Sequence, residues 1–106
     1  MRHAARADDN QAEIVKALRE AGHVVYNIKW PVDLLVRPRA GTRWLPMEVK
    51  SGRQWSYTED QRQFMLLAGD CPVATVTDVQ SALRAVNSIM ALDVDENNGS
   101  QDFHVQ

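Results

Sequence analysis

Along the chain the apolar positions change their period several times, and each change marks a new element. Ile14, Ala17, Leu18 and Ala21 recur at helical spacing ahead of Gly22, which predicts a first helix over residues 8–21. Within it, Asn10 and Glu13 have the spacing of a capping box at the helix start. Residues 23–29 alternate loosely around Val24, Val25, Tyr26 and Ile28, as a strand does. Residues 32–37 carry Val and Leu on both faces, which suits a central strand covered on both sides. The turn residues Pro38-Arg39-Ala40-Gly41 then lead into residues 43–50, the returning arm of an antiparallel hairpin. Pro46 lies inside that arm and has no N–H to donate, so a bulge is expected, or pairing that begins only after it.

The polar and aromatic stretch at residues 53–57 ends at Thr58, which with Gln61 again has capping-box spacing. Phe64, Met65, Leu67 and Ala68 supply the apolar side of a second helix, and Gly69 stops it. Residues 72–76 read as a short buried strand, and residues 77–92 as a last helix with Val79, Leu83, Val86 and Met90 inward. No periodic pattern survives beyond Asp93. Helix, three strands, helix, strand, helix is an order that packs as an α/β layer structure around a mixed sheet.

Composition adds little to that picture and charge adds more. At 106 residues, 44% hydrophobic and 25% charged, the chain is expected to form one globular domain. Its polar N-terminus and the lack of a long apolar run predict a cytoplasmic protein with no membrane partner. The single cysteine, Cys71, excludes an intrachain disulfide and a cysteine-rich zinc site, and its neighbours Asp70 and Pro72 suggest a buried thiol at the start of a strand. All twelve Lys and Arg and ten of the fourteen acids lie in residues 1–92, a domain body of net charge +2. Residues 93–106 hold Asp93, Asp95, Glu96 and Asp102 without a base, and are expected to be an acidic, solvated and disordered tail that discourages indiscriminate binding of polyanions.

Candidate chemistry concentrates between Trp30 and Ser51. Strand alternation places Glu48 and Lys50 on one face and Met47 and Val49 on the other, and the hairpin brings Asp33 beside them. Two carboxylates and the Val49 carbonyl make an oxygen-rich shell suited to Mg²⁺. Such an ion lowers the pKa of a bound water and neutralises charge on a phosphate oxygen, while Lys50 orients that water and stabilises the developing negative charge. Glu-x-Lys alone is a common surface pattern, so the weight rests on its context.

With Pro31-Val32-Asp33 ahead of Glu48-Val49-Lys50 in this element order, the chain resembles the PD-(D/E)XK nuclease superfamily, most closely its small stand-alone VRR-NUC-type and Holliday-junction-resolvase-like members. The resemblance spans residues 9–85. It departs from the family pattern in the inserted Val32 and in Pro46. It implies a restriction-endonuclease-like αβββαβα core with a central mixed sheet flanked by helices, and Mg²⁺ or Mn²⁺ as cofactor. It also implies that Asp33 and Glu48 bind metal, that Lys50 assists the attacking water, that Glu13 on the first helix supports the metal, and that Gln61 on the helix after the motif positions the lysine or a phosphate. Glu13 and Gln61 each keep the capping role as a second reading.

Arg37, Arg39 and Arg43 flank the hairpin turn while Arg53 and Arg62 follow the motif, so phosphate contacts from Arg37, Arg43 and Arg53 are expected around the site. Trp55 and Tyr57 in the same loop suit stacking on an unpaired base. No base-reading module is present in the sequence, which favours structure-selective or nonspecific DNA cleavage. Since one site cuts one strand, symmetric resolution of a Holliday junction would require a homodimer. The competing reading is a catalytically silent nuclease-like module that binds nucleic acid or a protein.

Overall fold

The computed structural model describes the backbone of residues 2–105 and the side chains of residues 10–94. The elements run α1 (Arg2–Glu20), β1 (Val24–Asn27), β2 (Leu34–Arg37), β3 (Leu45–Val49), α2 (Glu59–Ala68), β4 (Ala74–Val76) and α3 (Val79–Val105). They form an α/β fold with a mixed sheet of order β1-β2-β3-β4. The β1–β2 and β2–β3 pairs are antiparallel, and β4 joins β3 in parallel. Helix α2 makes the crossover that a parallel neighbour requires.

One face of the sheet carries the core. Val25, Leu34, Val36, Leu45, Met47 and Val76 pack against Ile14, Val15 and Leu18 of α1 and Ala82, Val86 and Ile89 of α3. These strand positions share one face by alternation, which frees the other face for chemistry. Helix α2 lies on that other face with no buried residue. Leu67, expected inward, is 82% exposed, and Phe64 and Ala68 instead border an apolar recess with Pro46, Pro72 and Val73. Cys71, expected buried, is exposed.

Pro46 causes no bulge, contrary to expectation, and pairs in register with Leu35. The reason is directional. Lys50 donates its backbone N–H to the Val76 carbonyl on β4, and alternation turns the nitrogens of Glu48 and Pro46 the same way. Because β4 begins only at Ala74, opposite Met47, the Pro46 nitrogen lies beyond the start of that strand and costs no ladder bond.

Both ends of the chain depart from expectation. Helix α1 starts at Arg2, so Asn10 and Glu13 lie inside it and form no capping box. At the other end, the boundary expected at Leu92 is absent. Helix α3 continues through Asp93, whose buried carboxylate accepts the Thr42 N–H at 3.0 Å and the Arg43 Nε–H at 2.5 Å. Gly41, with φ 104°, sits against that carboxylate so closely that a Cβ there would collide with it. Asp93 therefore fastens α3 to the β2–β3 turn, and an acid counted with the tail is part of the core scaffold.

Candidate active site

The register of the hairpin builds the site. Leu34 opposes Met47, and one step further along the same register Asp33 opposes Glu48, which puts two carboxylates on neighbouring strands on the same face. The Val49 N–H, just past the end of the ladder, donates to Asp33 Oδ2 at 2.8 Å. The Asp33 carbonyl in turn accepts the N–H groups of Ile28 at 2.9 Å and Lys29 at 3.3 Å. Backbone bonds on both sides thus hold Asp33 in place.

Glu48 is 3% exposed. Burial raises its pKa above the ordinary glutamate value, the facing Asp33 carboxylate raises it further, and Lys50 opposes the rise. Its Oε2 accepts from Gln61 Nε2 and lies 3.3 Å from Lys50 Nζ. Its Oε1 is buried with no hydrogen-bond donor in reach, an arrangement that is costly unless a proton or a cation fills it. Two crowded carboxylates, one orphaned oxygen and a single lysine suit a hard cation with oxygen ligands. Among the described residues no third His, Cys, Asp or Glu joins the pair, so water and substrate oxygens would complete a shell around Mg²⁺.

Lys50 is held from several directions. Its Nζ donates to Gln61 Oε1 at 2.8 Å and lies 5.7 Å from the centre of the Tyr57 ring. Its backbone carbonyl accepts from Asn10 Nδ2 at 3.4 Å, and the same amide reaches the Thr77 carbonyl at 3.1 Å. Asn10 therefore ties α1 to the ends of β3 and β4 beneath the lysine. Tyr57 is set by a 2.6 Å hydrogen bond to Thr75 Oγ1, and Thr75 neighbours Glu48 in the parallel register.

Gln61 fills both of its expected roles at once. Its Oε1 accepts the Thr58 N–H at 2.9 Å while its N–H donates to Thr58 Oγ1 at 3.2 Å, completing the capping box of α2. The same Oε1 accepts a hydrogen bond from the Lys50 ammonium, and Nε2 donates to Glu48. Only this amide orientation satisfies two donors at one end and a carboxylate at the other. The chain matches no family model, curated protein or solved structure.

Asp33, Glu48, Lys50 and Gln61 are thus brought together, and Trp55 joins their rim by packing edge-on against Tyr57 at 5.1 Å. Arg53 is exposed in the loop just past Lys50. Two expectations need correction. Glu13 is exposed on α1 and forms no metal-holding group with the acidic pair. Arg37 and Arg43 lie at the other end of the hairpin, about 15 Å of strand away. There Arg37 Nη2 donates to the Gly41 carbonyl at 3.4 Å and Arg43 pairs with Asp93. Sequence spacing had gathered these arginines beside the motif because a hairpin turn is near both strands in number and far from their open ends in space. Asn10 was missed as a positioning residue because its spacing to Glu13 carried a ready local explanation.

Proposed function

We propose that the chain is a divalent-metal-dependent DNA endonuclease built on a restriction-endonuclease-like αβββαβα core, hydrolysing phosphodiester bonds in a structure-selective or nonspecific way. The observation that carries this reading is the register-opposed pair Asp33 and Glu48, with an unsatisfied buried carboxylate oxygen and Lys50 on the same face. Bound between Asp33 and Glu48, Mg²⁺ or Mn²⁺ would supply Lewis-acid stabilisation of a phosphate oxygen and a water of lowered pKa.

The protein's own groups do the rest. Lys50, with Nζ on Gln61 and Glu48, is positioned to orient an attacking water and to balance charge developing on the phosphate. Gln61 fixes that ammonium from the first turn of α2, a helix start that favours anions. Asp33 keeps its carboxylate turned toward Glu48 because its other contacts are backbone groups. Arg53, exposed in the loop just past Lys50, suits contact with a phosphate of the same strand.

Labelled single-stranded, duplex, nicked and branched DNA incubated with Mg²⁺ or Mn²⁺, with chelator controls, tests the proposal. Metal-dependent cleavage lost in Asp33→Ala and Lys50→Ala is expected. Full activity in both variants sinks the assignment. Binding without metal and no cleavage of any substrate would support the silent binding module instead.

A further inference from the structure

Two of the three tryptophans of this chain lie in the connections that lead into Asp33 and out of Lys50, and both are exposed. Trp30 is 71% exposed in the β1–β2 connection, three residues before Asp33, and Trp55 is 40% exposed in the connection that follows Lys50. The remaining one, Trp44, is 42% exposed but lies near the opposite end of the hairpin, stacked on Tyr26 at 6.0 Å. Leaving so much of a large ring in solvent forgoes much of the stabilisation its burial would bring, and both site-end tryptophans are displayed by specific devices. Ile28 and Lys29 both donate to the Asp33 carbonyl. Lys29 adopts φ 71°, a left-handed backbone conformation that a residue with a side chain holds only under strain. The loop bearing Trp30 is therefore tied to the backbone of a site residue. On the other side, Trp55 rests edge-on against Tyr57, whose ring lies beside Lys50 and whose hydroxyl is bonded to Thr75.

Each of these rings has an exposed cation close in sequence, Lys29 beside Trp30 and Arg53 two residues before Trp55. An apolar partner would not call for that pairing. A polyanion whose phosphates alternate with flat aromatic bases would, because base–aromatic stacking and phosphate contacts act together along a single strand. We infer that Trp30 and Trp55 form a two-sided stacking clamp for unpaired bases on either side of the phosphate at Asp33 and Glu48, so that the substrate is single-stranded or locally unpaired DNA. The inference rests on the nuclease reading for the place of the phosphate, and its own evidence is the pair of cation-flanked rings. Bases stacked within an intact duplex have no face to offer such a clamp, so plain duplex binds through its backbone alone.

The test uses the full chain with chelator present, an oligothymidylate of about 20 nucleotides and a blunt duplex of equal length, read by quenching of tryptophan emission and by competition. The single strand is expected to quench and to bind about tenfold more tightly than the duplex. Trp30→Ala and Trp55→Ala should each weaken single-strand binding about tenfold, Trp30→Phe and Trp55→Phe should retain most of it, and Trp44→Ala should leave it unchanged. Unchanged affinity in both alanine variants, or equal binding of duplex and single strand, overturns the clamp. Cleavage measured on the same proteins with Mg²⁺ or Mn²⁺ separates the two ideas. If the alanine variants bind normally while metal-dependent cleavage persists, the clamp falls and the nuclease reading stands. If binding depends on the rings and no metal gives cleavage, the clamp stands and the nuclease reading falls.

Discussion

The carboxylate of Asp33 accepts the backbone N–H of Val49 at 2.8 Å, so the residue that faces Glu48 also closes the β2–β3 ladder where strand pairing runs out. A side chain with both duties links stability to chemistry. Asp33→Ala leaves the Val49 N–H without its partner and should cost about 1–2 kcal/mol in denaturant unfolding. Asp33→Asn keeps an oxygen for that N–H, so its unfolding midpoint should stay near that of the native protein while metal-dependent cleavage is lost.

Glu48 makes stability depend on pH in an unusual direction for a carboxylate. With its folded pKa raised above 4.5, Glu48 binds its proton more tightly in the native state than in the unfolded chain. No penalty exists below the unfolded value. It grows as pH rises and is complete above the folded value. Glu48→Gln can accept from Gln61 and Lys50 through its oxygen and donate to Asp33 through its nitrogen. In metal-free buffer at neutral to alkaline pH the variant should melt a few degrees above the native protein, with a flatter pH profile. Added Mg²⁺ or Mn²⁺ should raise the melting temperature of the native protein and not that of the variant. A variant that melts lower at every pH would contradict this account.

The two duties of Gln61 separate by mutation. Thr58→Ala removes the hydroxyl that caps α2 and should cost about 1 kcal/mol, leaving Lys50 and Glu48 with their Gln61 contacts and most activity intact. Gln61→Ala should cost a similar amount of stability and far more activity, because the Lys50 ammonium and Glu48 lose their shared partner. Equal activity losses would mean that Gln61 acts only as a cap.

Asp93 should behave as a structural residue. Asp93→Ala removes the acceptor of the Thr42 N–H and an ion-pair partner of Arg43, at a cost of about 1–3 kcal/mol. Its effect on cleavage, measured well below the melting temperature, should be small.

His23 gives the opposite pH behaviour to Glu48. It is 5% exposed, its Nδ1 accepts the Arg39 N–H at 2.9 Å, and burial followed by the Arg39 charge lowers its pKa below 6.5. The stability it contributes is fully present above the unfolded value and is lost as pH falls toward the lowered folded value. Unfolding midpoints should drop between about pH 7 and pH 5 in the native protein, and His23→Asn, which keeps an acceptor for Arg39, should flatten that drop.

The sequence alone determined the element order, because periods of 3.6 and 2 are local properties of the chain. Ile14 and Leu18 on one helix stripe and Leu34 and Val36 on one strand face were legible before any contact was known. It also determined the cap at Thr58 and Gln61, since a capping box closes within four residues. What the tertiary structure decided was everything set by distant parts of the chain. Hairpin register put Asp33 opposite Glu48 and carried Arg37 and Arg43 to the far end. The late start of β4 made Pro46 harmless. Packing across 51 residues of separation turned Asp93 from a tail acid into an anchor for Thr42. Around Asp33 and Glu48, the sequence supplied the groups, and register, burial and the crossover of α2 set them facing one another, because only the folded chain fixes which strand ends meet.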